Sequence, residues 1–242
     1  KVSQQVSKLF PKELTLEFEN IIYWRFLILT KKRYMSVSCQ SDGVLSEKIS
    51  KKGVLLARRD NSLFERETYE EIVNIIFNYG TFHDIKKYIY QITTDLFTRK
   101  YPYKHFVSTK AVGDYSGEVD KETNKLGNYT VRALPSDEKE KKELLQEKKT
   151  DEFGYYMSCL PAHMQLANKQ KLRGQIVQLG SRIEYVITQF YKDIPTSKVK
   201  QSDKIEAYDY FIQHSDILKI DYLHYLLKLI NPVDQLIEAV FN

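Results

Sequence analysis

Cysteine is nearly missing from this sequence: its 242 residues hold two, Cys39 and Cys159, far apart and outside any C-x-x-C pair. That argues against a disulfide framework or a thiolate zinc site and fits a reducing, intracellular setting. Long apolar runs are missing too, since none reaches the roughly 18 residues of a membrane-spanning helix. The opening Lys1-Val2-Ser3 has no signal-peptide pattern and no initiating methionine, so the sequence reads as part of a longer protein. Asn128-Tyr129-Thr130 matches a glycosylation triplet, but no secretion signal accompanies it. Charge of one sign is not in large excess. Lys and Arg number 37 against 32 Asp and Glu, a net of +5, which permits a polyanionic partner without requiring one. Catalytic patterns are absent as well. The five histidines are scattered, and no glycine-rich phosphate loop, H-E-x-x-H helix or Asp-x-Asp strand–turn cluster for two metals appears. Asp120, Glu122 and Asn124 lack the spacing and the glycine of a calcium loop.

What is present is enough for a packed core, in one large domain or two smaller ones. Hydrophobic residues make up 42% of the chain, too many for a disordered one. The first sixty residues read as antiparallel β. Leu14, Leu16 and Phe18 alternate with polar neighbours, Tyr23–Leu29 and Tyr34–Cys39 are strand-like, Ser41-Asp42-Gly43 signals a turn, and Val54–Ala57 reads as a further short strand. Helices dominate after Asn61. Ser62 and Glu65 have capping-box spacing, with Tyr69, Ile72, Val73 and Ile76 at helical intervals and Gly80 at the end. Thr81 caps a second stripe, Ile85, Tyr88, Ile89, Ile92 and Leu96. Residues 113–150 mix glycines with dense charge and read as an exposed loop with a solvated helix, an insertion tolerant of change. Pro161 opens another helix that Gly174 closes, and Arg182–Thr188 reads as a strand. Tyr222–Leu229 forms a late helix, and Asn231-Pro232 has the chemistry of an N-cap and first turn launching a last one. The fold class is α+β.

Several stretches, in order, resemble family-B DNA polymerases. Leu9-Phe10-Pro11 and Leu16-Glu17-Phe18-Glu19 precede Lys31-Lys32-Arg33-Tyr34, as a Leu-x-Phe-Glu strand precedes a Lys-Lys-Arg-Tyr signature in that family. Lys52-Gly53 through Arg58-Arg59-Asp60 resembles its Lys-Gly … Arg-Arg-Asp segment, and Thr109-Lys110 its Thr-Lys element. Pro161-Ala162-His163, Ala167 and Arg173-Gly174 resemble its Pro-x-His … Ala … Arg-Gly helix. Gly180-Ser181-Arg182-Ile183-Glu184-Tyr185-Val186 is similar to its Gly-x-Arg-Ile-x-Tyr-Val strand, and Tyr222–Pro232 to its closing helix and Asn-Pro turn. The chain departs from the pattern in its longer, more charged 113–150 and in carrying neither cysteine-rich metal modules nor the exonuclease motifs, which fits a viral or otherwise compact enzyme, such as that of a large cytoplasmic DNA virus.

The resemblance implies an antiparallel palm segment over 1–61 and a mainly helical thumb over 62–242. It implies a part of a DNA-directed DNA polymerase that grips primer–template DNA and is inactive by itself, the catalytic aspartates and the Mg2+ they bind lying upstream. The whole enzyme would take dNTPs, could use a processivity factor, needs no membrane, and would work where DNA is replicated, in a viral cytoplasmic factory or the nucleus. The DNA-binding residues implied are Lys31, Lys32, Arg33, Tyr34, Lys52, Arg58, Arg59, Thr109, Lys110, His163, Arg173, Gly174, Gly180 and Arg182, with Lys51 beside them. Gly174 and Gly180 would offer backbone N–H groups to phosphates, His163 would donate near a helix start, and Arg59 has Asp60 as an alternative structural partner. On residue chemistry alone two other classes stay open: a stand-alone basic helical nucleic-acid-binding module without enzyme activity, and an interaction domain whose charge is incidental.

Overall fold

The computed structural model describes residues 5–6, 8–9, 21–41, 43–54, 60–148, 151–190 and 199–241. The strand expected over Leu14–Phe18, the strand residues Leu55–Ala57, and Arg58 and Arg59 with the Arg59–Asp60 pair lie outside them. The described fold is α+β, as expected.

It begins with three antiparallel strands, β1 (Ile21–Thr30), β2 (Arg33–Ser41) and β3 (Val44–Lys52), with β2 in the middle. The third of these runs over residues to which the sequence pattern assigned no element of their own. Its sequence, VLSEKISKK, is polar enough to hide its strand character, and pairing to β2 supplies what propensity does not. One face of the sheet carries Met35 and Val37, both buried.

Two helices follow. In α1 (Leu63–Phe77) both arms of the capping box are made: the Ser62 N–H donates to Glu65 Oε2 at 2.7 Å, and the Glu65 N–H to Ser62 Oγ at 3.3 Å. Gly80 closes this helix, but not through its own φ. Tyr79 is the left-handed residue at φ 58°, and the Gly80 N–H reaches the Ile75 carbonyl at 2.8 Å. Glycine is required because a Cβ there would stand 2.4 Å from Ile75 Cγ2. Thr81 and Asp84 cap α2 (Phe82–Phe97) in the same way, and Ile85, Ile92 and Leu96 of the expected stripe are buried.

After a short 3-10 turn (Tyr103–Phe106) comes β4 (Ser108–Ala111), which pairs with β7 (Arg182–Ile187); β8 (Ile205–Ala207) lies on the far side of β7. Between β4 and β7 run a small hairpin, β5 (Lys125–Leu126) and β6 (Tyr129–Thr130), and the helices α3 (Glu138–Lys148), α4 (Glu152–Cys159) and α5 (Ala162–Leu172). The short α6 (Gln201–Lys204) and α7 (Tyr208–Gln213) flank β8, and α8 (Tyr222–Phe241) packs on α1 and α2.

Two expectations need correction. The first is the helix break at Asn231-Pro232: α8 runs through Pro232 without interruption. Its buried residues, Tyr225, Leu229, Val233 and Leu236, are spaced 4, 4 and 3 and share one face. An interior proline costs about 3 kcal/mol. Burying Val233 and Leu236 gains about 1.5–3 kcal/mol each, so packing outweighs the break. The second is the exposed insertion at 113–150, which holds for only part of that stretch. Helix α3 is solvated and almost wholly polar, but Tyr115, Leu126 and Val131 are buried in the core. The hairpin is stapled down: the Asp114 N–H donates to Asn128 Oδ1 at 2.7 Å, the Asn128 N–H to the Asp114 carbonyl at 2.8 Å, and the Gly113 N–H to the Tyr129 hydroxyl at 3.0 Å. Gly127, at φ 56°, lies so close to Asp114 that a Cβ would come within 2.4 Å of its carbonyl oxygen.

One buried side chain joins the halves of this assembly. The Tyr225 hydroxyl donates to the Phe106 carbonyl at 2.8 Å and accepts from the Ile187 N–H at 2.9 Å.

The two parts of 113–150 are therefore expected to differ in tolerance. Replacing residues 138–148 with Gly/Ser of equal length should shift the melting temperature by no more than about 4 °C, the equivalent of about 1 kcal/mol in a chain of this size. Leu126→Ala should cost about 2–5 kcal/mol. Thermal melting of both variants checks this, and equal losses would show that α3 is packed as firmly as the hairpin.

Candidate nucleic-acid interface

The basic residues fall into two groups, set by two strand pairs. At the end of the first sheet, Lys31 and Lys32 form the turn between β1 and β2, and both are exposed. Lys32 is left-handed at φ 65°, and its carbonyl is pressed against Gly53, where a Cβ would come within 2.3 Å of that oxygen. Gly53, itself at φ 67°, is therefore the residue that lets the end of β3 lie against the basic turn. Tyr34 stacks on Phe26, with ring centroids 4.9 Å apart, and the Lys52 ammonium stands 5.8 Å from its centroid. Register explains which lysine joins this group. Tyr34 pairs with Lys52 and Met35 with Lys51, so alternation sends only Lys52 to the Tyr34 face. Lys51 points the other way and forms an ion pair with Glu70 of α1.

The second group forms on β4 and β7. Arg182 and Thr109 share one face, with Arg182 Nη2 3.3 Å from Thr109 Oγ1. Lys110, the next residue along, projects from the opposite face beside α5. Burial, and then the charge of Lys110, hold the pKa of His163 below its ordinary value of 6.5. His163 is therefore a neutral donor or acceptor at physiological pH and not a cation. Because β4 is the outer strand of its sheet, both faces meet at its edge. Thr109 and Arg182 thus stand on one face of the β4–β7 pair, and Lys110 and His163 on the other.

Arg173 is not part of that group. Its guanidinium grips Glu206 of β8 with two bonds, at 2.7 and 3.1 Å, and lies 3.6 Å from the Tyr210 ring centroid. Lys169 adds a third contact to the same carboxylate at 2.6 Å. The glycine amides are engaged too. The Gly174 N–H donates to the Lys171 carbonyl and the Gly180 N–H to that of Val112, each at 2.9 Å, so neither is open to a phosphate. Both glycines are left-handed, at φ 82° and 77°, with open space where a Cβ would stand, so chain reversal is what they supply.

Sequence reasoning passed over Glu206 and Lys169, whose partners are more than thirty residues away, and Lys228, whose ammonium lies 2.8 Å from Glu65 Oε1. That last contact is ionic, its angles falling outside those of a hydrogen bond. It also passed over Lys48, which a period of two from Lys52 through Ser50 would have disclosed. Among the described residues no cluster of His, Cys, Asp and Glu can hold a metal ion, and no helix is long and apolar enough to cross a membrane. Cations and neutral donors on two strand pairs can hold a polyanion; they offer no carboxylate pair for bond-making.

The sequence profile of DNA polymerase family B matches residues 1–240. The chain belongs to that family. It is 40% identical to DNA polymerase 120R of Invertebrate iridescent virus 3 over all of this chain and 22% of that protein. With putative DNA polymerase 060R of Frog virus 3 (isolate Goorha) it shares 35% identity, over 98% of this chain and 24% of that protein. Among solved structures, the family B DNA polymerase from the hyperthermophilic archaeon Pyrobaculum calidifontis has the same fold, with a TM-score of 0.54 at 18% identity over 91% of this chain and 22% of that one. These viral relatives agree with the family and the kind of source that the motifs implied. The chain spans about a fifth of the length of the relatives it matches.

In this family-B polymerase chain the Glu206 ion pairs fix the end of α5 beside the β4–β7 strands. Burial pushes the Glu206 carboxyl up, but the hydrogen bonds from Arg173 and Lys169 outweigh it, leaving its pKa below the ordinary 4.5. The stability this confers is fully present above that ordinary value and is lost as pH falls through the lower, folded one. Glu206→Gln should therefore cost about 1–3 kcal/mol at neutral pH, seen as a lower melting temperature. The gap between variant and parent should stay constant down to about pH 5 and close below about pH 4. A gap that persists in acid would mean that shape at this position matters and charge does not.

Proposed function

We propose that this chain is the C-terminal palm edge (1–61) and thumb (62–242) of a DNA-directed DNA polymerase, and that it holds primer–template DNA while the chemistry is done upstream. The observation that carries this reading is the form of the Lys31-Lys32-Arg33-Tyr34 stretch: an exposed two-lysine turn, held by Gly53, with Tyr34 fixed by Phe26 and Lys52. A polymerase must grip DNA regardless of sequence, and phosphate contacts do so because every nucleotide has one. Lys31, Arg33, Lys52, Lys110 and Arg182 suit that task, with Thr109 and neutral His163 as hydrogen-bonding groups and Arg58 and Arg59 as further cations. Arg173 acts at one remove, by positioning the strands.

Lys32 and Tyr34 suit a finer task. All Watson–Crick pairs present acceptors in the minor groove, at purine N3 and pyrimidine O2, so a donor placed there meets any correct pair and loses its partner at a mismatch. The whole enzyme would use dNTPs and Mg2+ held by carboxylates upstream of this chain. It would act inside the cell at the site of viral DNA replication, with a processivity factor as a possible partner.

Primer extension by the whole polymerase tests this reading. Lys32→Ala or Tyr34→Phe should lower extension from a matched terminus by about one to two decades, the equivalent of about 1.5–3 kcal/mol, and lower it less from a mismatched one. Unchanged extension from both termini would remove these residues from the interface.

A further inference from the structure

The sheet that carries the basic turn has a second face, and register defines it. Tyr34 pairs with Ile28 on β1 and with Lys52 on β3; Ser36 pairs with Phe26 and Ser50; Ser38 pairs with Lys48. Alternation puts these side chains on the face opposite Met35 and Val37. Phe26, Ile28, Lys48 and Lys52 are exposed there, and none of these positions is acidic. Apolar surface thus runs along β1 and positive charge along β3.

Resting on the function proposed above, we propose that Lys48 is a further contact to the DNA backbone, and that this face of β1–β3 is a rail for one strand of the duplex beyond the Lys31–Lys32 turn. Lys48 and Lys52 are four residues apart on one strand, which at a rise of about 3.3 Å per residue sets their Cα atoms about 13 Å apart. DNA carries one phosphate per about 3.4 Å of axis on each strand, and the strand also winds round that axis, so lysines about 13 Å apart reach phosphates about two nucleotide steps apart on one strand. Ser50 lies between them with a hydroxyl able to donate to an intervening phosphate. Lys51, on the other face, is tied to Glu70, which leaves the outward row of β3 to Lys48, Ser50 and Lys52. The ammonium of Lys48 has no hydrogen bond or ion pair among the described residues; it is the backbone that is engaged, in the β2–β3 ladder and through its carbonyl, which accepts from Ser38 Oγ at 3.3 Å. A phosphate contact by Lys48 therefore breaks no bond within the protein. Phe26 and Ile28 offer apolar surface alongside, suited to deoxyribose. A lysine on an edge strand can also serve only to discourage strand pairing, and the two roles differ in their response to salt.

The measurement is the affinity of the chain for a labelled primer–template duplex, followed by fluorescence anisotropy between about 50 and 200 mM salt. Lys48→Ala should reduce the slope of log affinity against log salt by about 0.9, the share of one phosphate, and Lys48→Arg should retain it. Both should melt with the parent, since the Lys48 side chain has no bonded partner to lose. If Lys48→Ala keeps the parent slope while Lys110→Ala lowers it, the rail is overturned and the proposed function stands. Salt-independent binding by the parent chain overturns both.

Discussion

The phenol of Tyr225 is the joint on which the described fold turns. It is fully buried, and burial pushes its pKa well above 10, so the hydroxyl stays protonated and keeps both of its bonds. Those bonds reach the backbone at Phe106 and Ile187, residues 119 and 38 positions away, and tie α8 to the entry of β4 and the exit of β7. Phe106 packs edge-on against Tyr222 and Tyr225 and tilted against Phe64, which brings α1 into the same cluster. Phe106 and Ile187 are both buried, so losing the hydroxyl would strand a donor and an acceptor together. The strand pair that presents Thr109, Lys110 and Arg182 is therefore held to the helical layer by a contact with no apolar substitute.

A second constraint is how the positive charge is divided. Lys51, Lys169, Arg173, Lys204 and Lys228 are each paired with a carboxylate, namely Glu70, Glu206, Glu206 again, Asp221 and Glu65. Glu65 and Glu206 are buried and would be costly if left uncompensated. These cations stabilise the folded chain and contribute little to the field outside it. The basic groups described at the β1–β2 turn, along β3 and at the edge of β4 are separate from these buried pairs.

Much of this was legible in the amino-acid order. The capping boxes at Ser62 and Thr81, the stripe from Ile85 to Leu96, the strand at Arg182 and the family motifs are local patterns, governed by dihedral preference and side-chain period and needing no knowledge of distant residues. The Lys-Lys-Arg-Tyr stretch was legible as motif and as strand start for the same reason.

Tertiary structure decided the rest. Whether Arg173 faces a ligand or Glu206, whether Lys51 or Lys52 joins Tyr34, and whether Gly180 has a free amide all depend on partners brought close by folding. Helix α8 passes Pro232 because α1 and α2 reward the buried face beyond it. Residues 113–131 look like an excursion in composition yet pack through Tyr115, Leu126 and Val131. Sequence alone determined the family, the main helices and the stock of cations, since short-range geometry is written in adjacent residues. The allotment of those cations between buried carboxylates and the surface was settled only by three-dimensional packing, because an ion pair forms between residues that the chain order keeps far apart.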